Sequence, residues 1–395
     1  MAEKRPTILQ IIPELDTGGA ELSTIEIAEA IGRAGGRAIV LTEGGRLVQR
    51  LRDTGAEVRF FAAATKSPVR ILWNARRIAR MVRRDGIDLL HARSRAPAWS
   101  ALLAARRTGV PFVTTYHGAY GERSSLKRLY NSVMAHGDVV IANSHYTADL
   151  IRMRYGTPLD RLEVIYRGVD DRWFDTSKVA RQRVDGLRKE WGVRPGERIV
   201  LNAARLTRWK GQSILMAAAK LLNDAGKLGN SVVVLAGDAQ GRGSYRKELE
   251  QEAGGLGLGE LVRIVGHVED MPAAFLAAHV AVIASIEPEA FGRTAAEAQM
   301  MGTPVIATDI GAPPETVLSA PRVSAGEATG WLVPPNDAGR LAEALAAALA
   351  LPPEERKAMG ERAHRHAARN FSLEGMKQQT LKVYDRLLGT HLASD

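Results

Sequence analysis

Short apolar or β-branched runs alternate with helical patterns from one end of the chain to the other, which predicts an α/β protein with two doubly wound parallel sheets. Two further observations support two domains. The alternation lapses once near the middle, and 395 residues correspond to two domains, or three at most, at roughly 150 residues each. Hydrophobic residues make up 45% and charged residues 25%, a globular balance that excludes a disordered chain. No apolar run approaches the roughly 18 residues that a spanning helix needs. Zero cysteines exclude disulfides, thiolate zinc sites, iron–sulfur clusters and a cysteine nucleophile. The N-terminus runs from charged residues straight into a strand-like segment with no small-residue cleavage site, so a cytoplasmic location is expected.

Taken in order, the strands of the first half are expected at 7–12, 37–41, 57–61, 87–91, 111–115, 138–142 and 162–165. The stretch 171–195 is charged, has few apolar repeats and ends in the turn Gly192-Val193-Arg194-Pro195-Gly196. A linker at 176–196 is therefore expected between a domain at 1–175 and a second at 197–372. Strands resume at 198–203, 231–236, 262–265, 280–283, 304–308 and 331–333, after which the pattern is helical to about residue 388. The terminal helix, within 373–395, lies past the last strand and can pack back across the first domain. Two such Rossmann-like domains are expected to face each other across a cleft. Ligands of open parallel sheets bind outside the carboxyl ends of the strands, so the residues just after each strand are the candidates for function.

The net charge of +10 is unevenly spread. Between residues 66 and 107 stand Lys66, Arg70, Arg76, Arg77, Arg80, Arg83, Arg84, Arg93, Arg95, Arg106 and Arg107, opposed only by Asp85 and Asp88. Within that stretch Ile71, Leu72, Ala75, Ile78, Ala79 and Val82 recur at helical spacing, as in an amphipathic helix with one cationic face. Two readings stand: a solvated helix face, or attraction to anionic lipid headgroups at a membrane surface. Nucleic acid is not the expected partner. Only Trp73 and Trp99 accompany the basic residues, and no recognition-helix or stacking-sheet motif is present.

Three loops carry chemistry. After the first strand, Gly18-Gly19 lead into a helix, which lets a ligand approach the backbone and presents unpaired N–H groups to an anion; a plain tight turn reads equally well. In the second half, Arg205 and Lys210 follow a strand and open a helix, where cations oppose the macrodipole unless an anion such as a diphosphate is bound; exposed surface cations are the alternative. The segment Glu287-Pro288-Glu289-Ala290-Phe291-Gly292-Arg293-Thr294-Ala295-Ala296-Glu297-Ala298 follows the strand at 280–283. Thr294 to Glu297 also matches a capping box, which explains Glu297 but neither Glu289 nor Gly292. A ligand explains all three: Glu289 accepts from hydroxyls, N–H groups around Gly292 meet phosphate, and Glu297 receives a ribose diol. Among the histidines, His117 follows a strand and precedes a glycine, in a loop. His91 ends a strand and reads equally as an interior residue, while His136, His364 and His366 fall in helical patterns and are expected at the surface. Ser144 reads as a helix cap.

Glu289 and Glu297, in the setting Glu-Ala-Phe-Gly-Arg-Thr-Ala-Ala-Glu-Ala, resemble the signature of family-4 glycosyltransferases of the GT-B fold. Other segments agree in order: Gly18-Gly19-Ala20-Glu21, Tyr116-His117-Gly118, Ala142-Asn143-Ser144, Arg167-Gly168-Val169-Asp170, Arg205 with Lys210-Gly211, Gly237-Asp238, Gly266-His267-Val268 and Met301-Gly302-Thr303-Pro304. The match spans roughly residues 7 to 340. Tyr166 departs from it, standing where the family commonly has proline.

The resemblance implies a retaining transfer of sugar from a nucleotide diphosphate donor, bound mainly by the second domain, to a carbohydrate or glycolipid hydroxyl. On it, Arg205 and Lys210 neutralise the departing diphosphate, Glu289 contacts donor-sugar hydroxyls and Glu297 holds the ribose. Gly18 and Gly19 close over the diphosphate, and His117 lines the sugar pocket near the anomeric carbon. Gly237, Val268, Phe291, Gly292, Arg293 and Thr294 complete the donor-binding set. There is no Asp-x-Asp triplet to seat a divalent metal, so a metal-independent mechanism without a cofactor is expected, with cations and helix N-termini in the metal's place. The basic stretch suggests an acceptor held at an anionic membrane, such as a lipopolysaccharide or other cell-envelope glycolipid intermediate, with the enzyme peripheral on the inner face. A nucleotide-sugar epimerase of the same architecture and a non-catalytic nucleotide-sugar-binding protein are the rival readings.

Overall fold

A computed structural model of the protein describes residues 5–16, 18–118, 120–121, 124–238 and 243–393. The chain divides into two compact units, Met1–Gly168 with Glu374–Asp395, and Val169–Leu373. The first holds seven strands: β1 (Thr7–Ile11), β2 (Arg37–Thr42), β3 (Glu57–Phe60), β4 (Leu89–Ala92), β5 (Phe112–Tyr116), β6 (Val139–Ala142) and β7 (Leu162–Val164). The second holds six: β8 (Arg198–Ala203), β9 (Ser231–Ala236), β10 (Val262–Gly266), β11 (Val280–Ile283), β12 (Val305–Thr308) and β13 (Gly330–Val333). Every pairing is parallel, in the orders β3-β2-β1-β4-β5-β6-β7 and β10-β9-β8-β11-β12-β13. The strand order therefore reverses beside β1 in one unit and beside β8 in the other, where doubly wound sheets open their ligand crevice.

The strands are continuous apolar runs because helices cover both faces of each sheet. Leu9, Ile11, Ile39, Leu41, Leu90 and Phe112 pack with Ile78, Val82 and Leu102 from helices in the first unit. Val200, Val233, Leu235, Val280, Val282 and Ile306 pack with Leu215, Met216, Leu341 and Leu345 in the second.

The segment expected as a linker is folded. It carries helix Arg181–Glu190, and Arg183 grips Asp270 through Nε and Nη2 at 2.7 and 2.6 Å, so it belongs to the second unit. Its weak apolar pattern reflects attachment by an ion pair instead of a buried stripe. The units divide at 168/169 and 373/374. The last helix, Leu373–Leu388, joins the first unit through Lys377 to Glu29 at 2.8 Å, Tyr384 to His91 at 2.6 Å and Arg386 to Glu163 at 2.9 Å.

The basic stretch forms helix Pro68–Asp85, which buries Ala75, Ile78, Ala79 and Val82. Leu72, expected on that buried face, instead points outward with Val69 and Trp73, at 52%, 76% and 53% exposure. No helix among the described residues is long and apolar enough to cross a membrane.

Candidate functional site

In the second unit the candidate residues gather at the carboxyl ends of β8 and β11, beside the switch in strand order. After β8 the chain reaches Arg205, which is exposed, and then the one-turn helix Arg208–Lys210. Gly211 follows at φ 69°, and a Cβ there would overlap the Ala284 carbonyl oxygen, so only glycine lets this turn lie against the end of β11. The approach is fastened by the Ile286 N–H donating to the Trp209 carbonyl at 2.8 Å and the Asn202 amide donating to the Val282 carbonyl at 2.8 Å.

This packing brings Lys210 Nζ to 2.7 Å from Glu289 Oε1, with both side chains largely buried. The Lys210 ammonium also lies 4.2 Å from the centre of the Trp209 ring, and the Ser285 hydroxyl donates to the same Glu289 oxygen. Trp209 and Ser285 had no pattern of their own in the sequence; Trp209 stands between two cations and Ser285 merely follows a strand.

Glu297 does not close a capping box. The helix Arg293–Met300 begins two residues earlier than the box requires, with Gly292 as its cap, so Glu297 sits inside the helix and accepts from Arg293 Nε at 2.7 Å. Burial pushes the Glu297 carboxyl above its ordinary range, and the Arg293 charge opposes that rise. Thr294 Oγ1 donates to the Ala203 carbonyl at 3.3 Å, tying this helix to the end of β8. Phe291 is buried edge-on against Phe371 at 5.5 Å, as a wedge under the loop. The Gly237 N–H donates to the Gly266 carbonyl at 2.6 Å, and Val268 lies half-buried two residues past β10.

The first unit's candidates also lie at strand ends. Gly18 caps helix Gly19–Arg33, and a Cβ on Gly19 would overlap Arg167 Nη1. Arg167 Nη2 lies 2.9 Å from His117 Nδ1. His117 is half-buried, and desolvation first, then the charges of Arg167 and Arg93, hold its pKa well below the usual histidine range. Its Nε2 is buried without a hydrogen-bond partner. Arg167 was legible only as part of a loop motif.

His91 is an interior residue: Nδ1 lies 2.6 Å from the Tyr384 hydroxyl and Nε2 2.7 Å from Thr115 Oγ1. Beside it, Arg93 is buried against Ser23 Oγ at 2.8 Å, and burial lowers its pKa to about 10. Ser144 Oγ caps helix His145–Tyr155 by accepting from the Thr147 N–H at 3.0 Å. No group of three or more metal-ligating side chains occurs among the described residues.

Residues 17–173 match the model of Glycosyltransferase Family 4, and residues 184–366 match that of Glycosyl transferases group 1. The chain is 30% identical over 322 residues to the D-inositol 3-phosphate glycosyltransferase of Salinispora tropica, covering 77% of this chain and 65% of that one. A glycosyltransferase structure from Rickettsia africae aligns with TM-score 0.88 and 33% identity, over 97% of this chain and 99% of that chain. HepE of Anabaena, solved in complex with UDP-glucose, aligns with TM-score 0.80 and 25% identity, over 96% and 99%. The two family models between them match both halves of the chain, and the chain belongs to the family-4 glycosyltransferases of the GT-B fold.

Proposed function

We propose that the protein moves a glycosyl group, with retention and without a metal, from a nucleoside diphosphate sugar to a hydroxyl acceptor. The observation that carries this reading is the Lys210–Glu289 pair at the switch point of the second sheet, with a cation already aimed at the place where an open α/β sheet binds its ligand. The UDP-glucose complex of HepE supports the donor class.

In the reaction the bond from the anomeric carbon to the diphosphate oxygen breaks as a bond to the acceptor oxygen forms, and the acceptor's proton leaves with the diphosphate. Negative charge builds on the leaving group, so Lys210 and Arg205 would stabilise the transition state more than the ground state, by about 3 kcal/mol for each well-placed donor. The Glu289 carboxylate would release Lys210 to the diphosphate while accepting from a sugar hydroxyl. Glu297 would receive the ribose diol, and His117 would donate from Nε2 to a substrate hydroxyl. Gly18, Gly19 and Gly292 present backbone N–H groups without side-chain obstruction.

The test is product analysis. Donor incubated with acceptor should yield a glycoside of unchanged anomeric configuration in EDTA, whereas donor incubated alone should not epimerise. Inversion, or loss of activity with chelator, overturns the respective part of the proposal.

We further propose that the acceptor is a cell-envelope glycolipid met at the inner membrane face, with the enzyme cytoplasmic and peripheral. The outward face of helix Pro68–Asp85 carries Val69, Leu72 and Trp73 toward its start and Arg76, Arg80 and Arg83 toward its end, and Arg77 stacks 4.5 Å from the Trp73 ring. Apolar side chains beside exposed arginines suit an anionic interface. Sedimentation should show stronger binding to anionic than to neutral vesicles, and charge reversal at Arg76, Arg80 and Arg83 should abolish the difference. Equal binding to both vesicle types removes this part of the reading.

A further inference from the structure

We propose that the groove between edge strand β3 and helix Pro68–Asp85 binds a phosphate monoester, with Arg77 and Arg80 as the two groups that grip the phosphate. The site itself does not rest on glycosyl transfer; its assignment to a lipid headgroup rests on the membrane reading above.

β3 is the edge of the first sheet, and β2 separates it from β1, beside which the strand order reverses. The groove is therefore distinct from the crevice at that switch point. It has a volume of about 510 Å³, and its wall is formed by Arg59, Arg77, Arg80 and Arg84 beside Phe60 and Met81. Arg77, Arg80 and Arg84 stand three and four positions apart on the helix, so they share one face of it.

The four arginines are not equivalent. Arg59 Nε reaches Glu57 at 2.6 Å and its Nη1 binds Asp85, while Arg84 Nε reaches Asp85 at 2.8 Å and Arg37 Nη2 reaches Glu57 at 2.6 Å. Three cations thus share two carboxylates. Among the described residues Arg77 and Arg80 have no hydrogen-bond or ion-pair partner. Arg77 is held in place all the same: its guanidinium carbon lies 4.7 Å from the centre of the Phe61 ring and 4.5 Å from that of Trp73. Arg76, one position earlier, is exposed, whereas Arg77 is half-buried. Aromatic rings hold a guanidinium by its face and leave its N–H fork open. Such a cation is placed before its ligand arrives and has little side-chain freedom left to lose on binding.

The charge balance and the forks select the ligand. Five arginines face two carboxylates here, which calls for an anion of more than one charge. A phosphate monoester carries about −1.5 to −2 near pH 7 and has three terminal oxygens, so it can take the forks of Arg77 and Arg80 together. A phosphodiester or a carboxylate has one charge and two such oxygens, and satisfies one fork. Phe60, 61% exposed in the same wall, offers apolar surface to whatever the phosphate carries.

Calorimetric titration of the full chain in phosphate-free buffer at neutral pH tests the site. Soluble dihexanoyl phosphatidic acid should bind, dihexanoyl phosphatidylglycerol should bind about 10-fold more weakly, and dihexanoyl phosphatidylcholine should not bind. Arg77→Met and Arg80→Met should each weaken binding of the first about 10-fold, and Arg77→Lys, which keeps the charge and loses the fork, should not restore it. Arg80 is exposed, so its variant serves if Arg77→Met does not fold. Arg76→Met removes the same charge from the same helix outside the groove and should leave this binding within about twofold of wild type. Equal binding of monoester and diester, full binding by Arg77→Lys, or an equal loss in Arg76→Met would show attraction by net charge alone and overturns the site. Unchanged binding in both Arg77→Met and Arg80→Met does the same. Glycerol phosphate that binds as tightly as dihexanoyl phosphatidic acid assigns the site to a soluble ester, and weaker binding assigns it to a lipid. Monoester binding by a chain that sediments equally with anionic and neutral vesicles would leave the site standing and remove the membrane reading instead.

Discussion

The carboxyl edges of the two sheets are built on the same topology and both bury unpartnered polar atoms, Asn202 Oδ1, Thr207 Oγ1 and Gln212 Oε1 in the second unit and those of His117 and Asn143 in the first, but they hold their cations differently. In the second unit the cations are satisfied internally: Lys210 by Glu289 and Arg293 by Glu297, each at 2.7 Å. In the first unit the edge is electropositive and partly unsatisfied, with Arg93 and Arg167 beside a neutral His117 and with unpartnered atoms on His117 and Asn143. Two strategies for a ready site are visible here. A paired cation is held in place by a carboxylate until an anion displaces that carboxylate, whereas an unpaired neutral donor waits for a hydroxyl. The first suits a charged ligand, because breaking the internal pair is offset by a new ionic bond. The second suits an uncharged one, because no charge has to be stripped of its partner.

The largest effect should come from the paired edge. Lys210→Ala is expected to lower transfer by about 10²–10³-fold, the range for removing one donor to a developing oxyanion. Steady-state rates with the donor found by a thermal-shift panel check this, and a loss under tenfold erases the proposed contrast between the edges.

Next in size, away from either edge, is the tie that holds the final helix on the first unit. Lys377 is 2% exposed and pairs with Glu29 at 2.8 Å. Glu29→Ala strands a buried ammonium and should cost about 3 kcal/mol in urea unfolding, whereas Lys377→Met, which removes the charge and keeps the volume, should cost much less. Equal costs would mean that packing, not charge, seats this helix.

Gly211→Ala should cost about 2 kcal/mol, since it adds a left-handed strain to an overlap with Ala284. Gly55→Ala shares the left-handed conformation at φ 81° with nothing within 4 Å of the new Cβ, so about 1 kcal/mol is expected there. The difference between the two isolates the close approach of the Lys210 turn to β11.

The smallest effect is a pH slope. His91 and His117 are held well below the usual histidine range by burial. The unfolded chain binds a proton near pH 6.5 where these buried rings do not, so stability falls as pH drops below about 6.5, until the folded rings protonate in turn. Each ring contributes up to about 1.4 kcal/mol per pH unit, and His91→Gln should flatten the slope by that amount when denaturation midpoints are compared between pH 8 and 5.5. An unchanged slope would assign the acid sensitivity elsewhere.

The strands were legible because each is a short apolar run closed by a turn, and every expected run became a strand to within two residues. The helix at 181–190 was not, because Arg183 binds Asp270 across 87 positions and leaves no local pattern. Leu72 read as core by spacing alone, yet it faces outward. At the candidate site, Glu289, Lys210 and Glu297 were legible as residue types following strands. Ser285 and Trp209 were not, because a serine or a tryptophan in a loop has too many ordinary uses to stand out, and Arg167 was legible only as a motif member, not as the partner of His117.

By itself the sequence determined the alternation of strand and helix, the two doubly wound sheets and the positions where the loops carry charge. Those depend on periodicity and turn chemistry, which act between residues close in the chain. Which charges meet was decided only by tertiary structure: Lys210 reaches Glu289 across 79 positions, Arg167 reaches His117 across 50, and Tyr384 reaches His91 across 293. The protonation of a buried ring and the pairing of a cation follow from what surrounds them in space, and parallel strands with long crossovers gather those surroundings from far apart in the sequence.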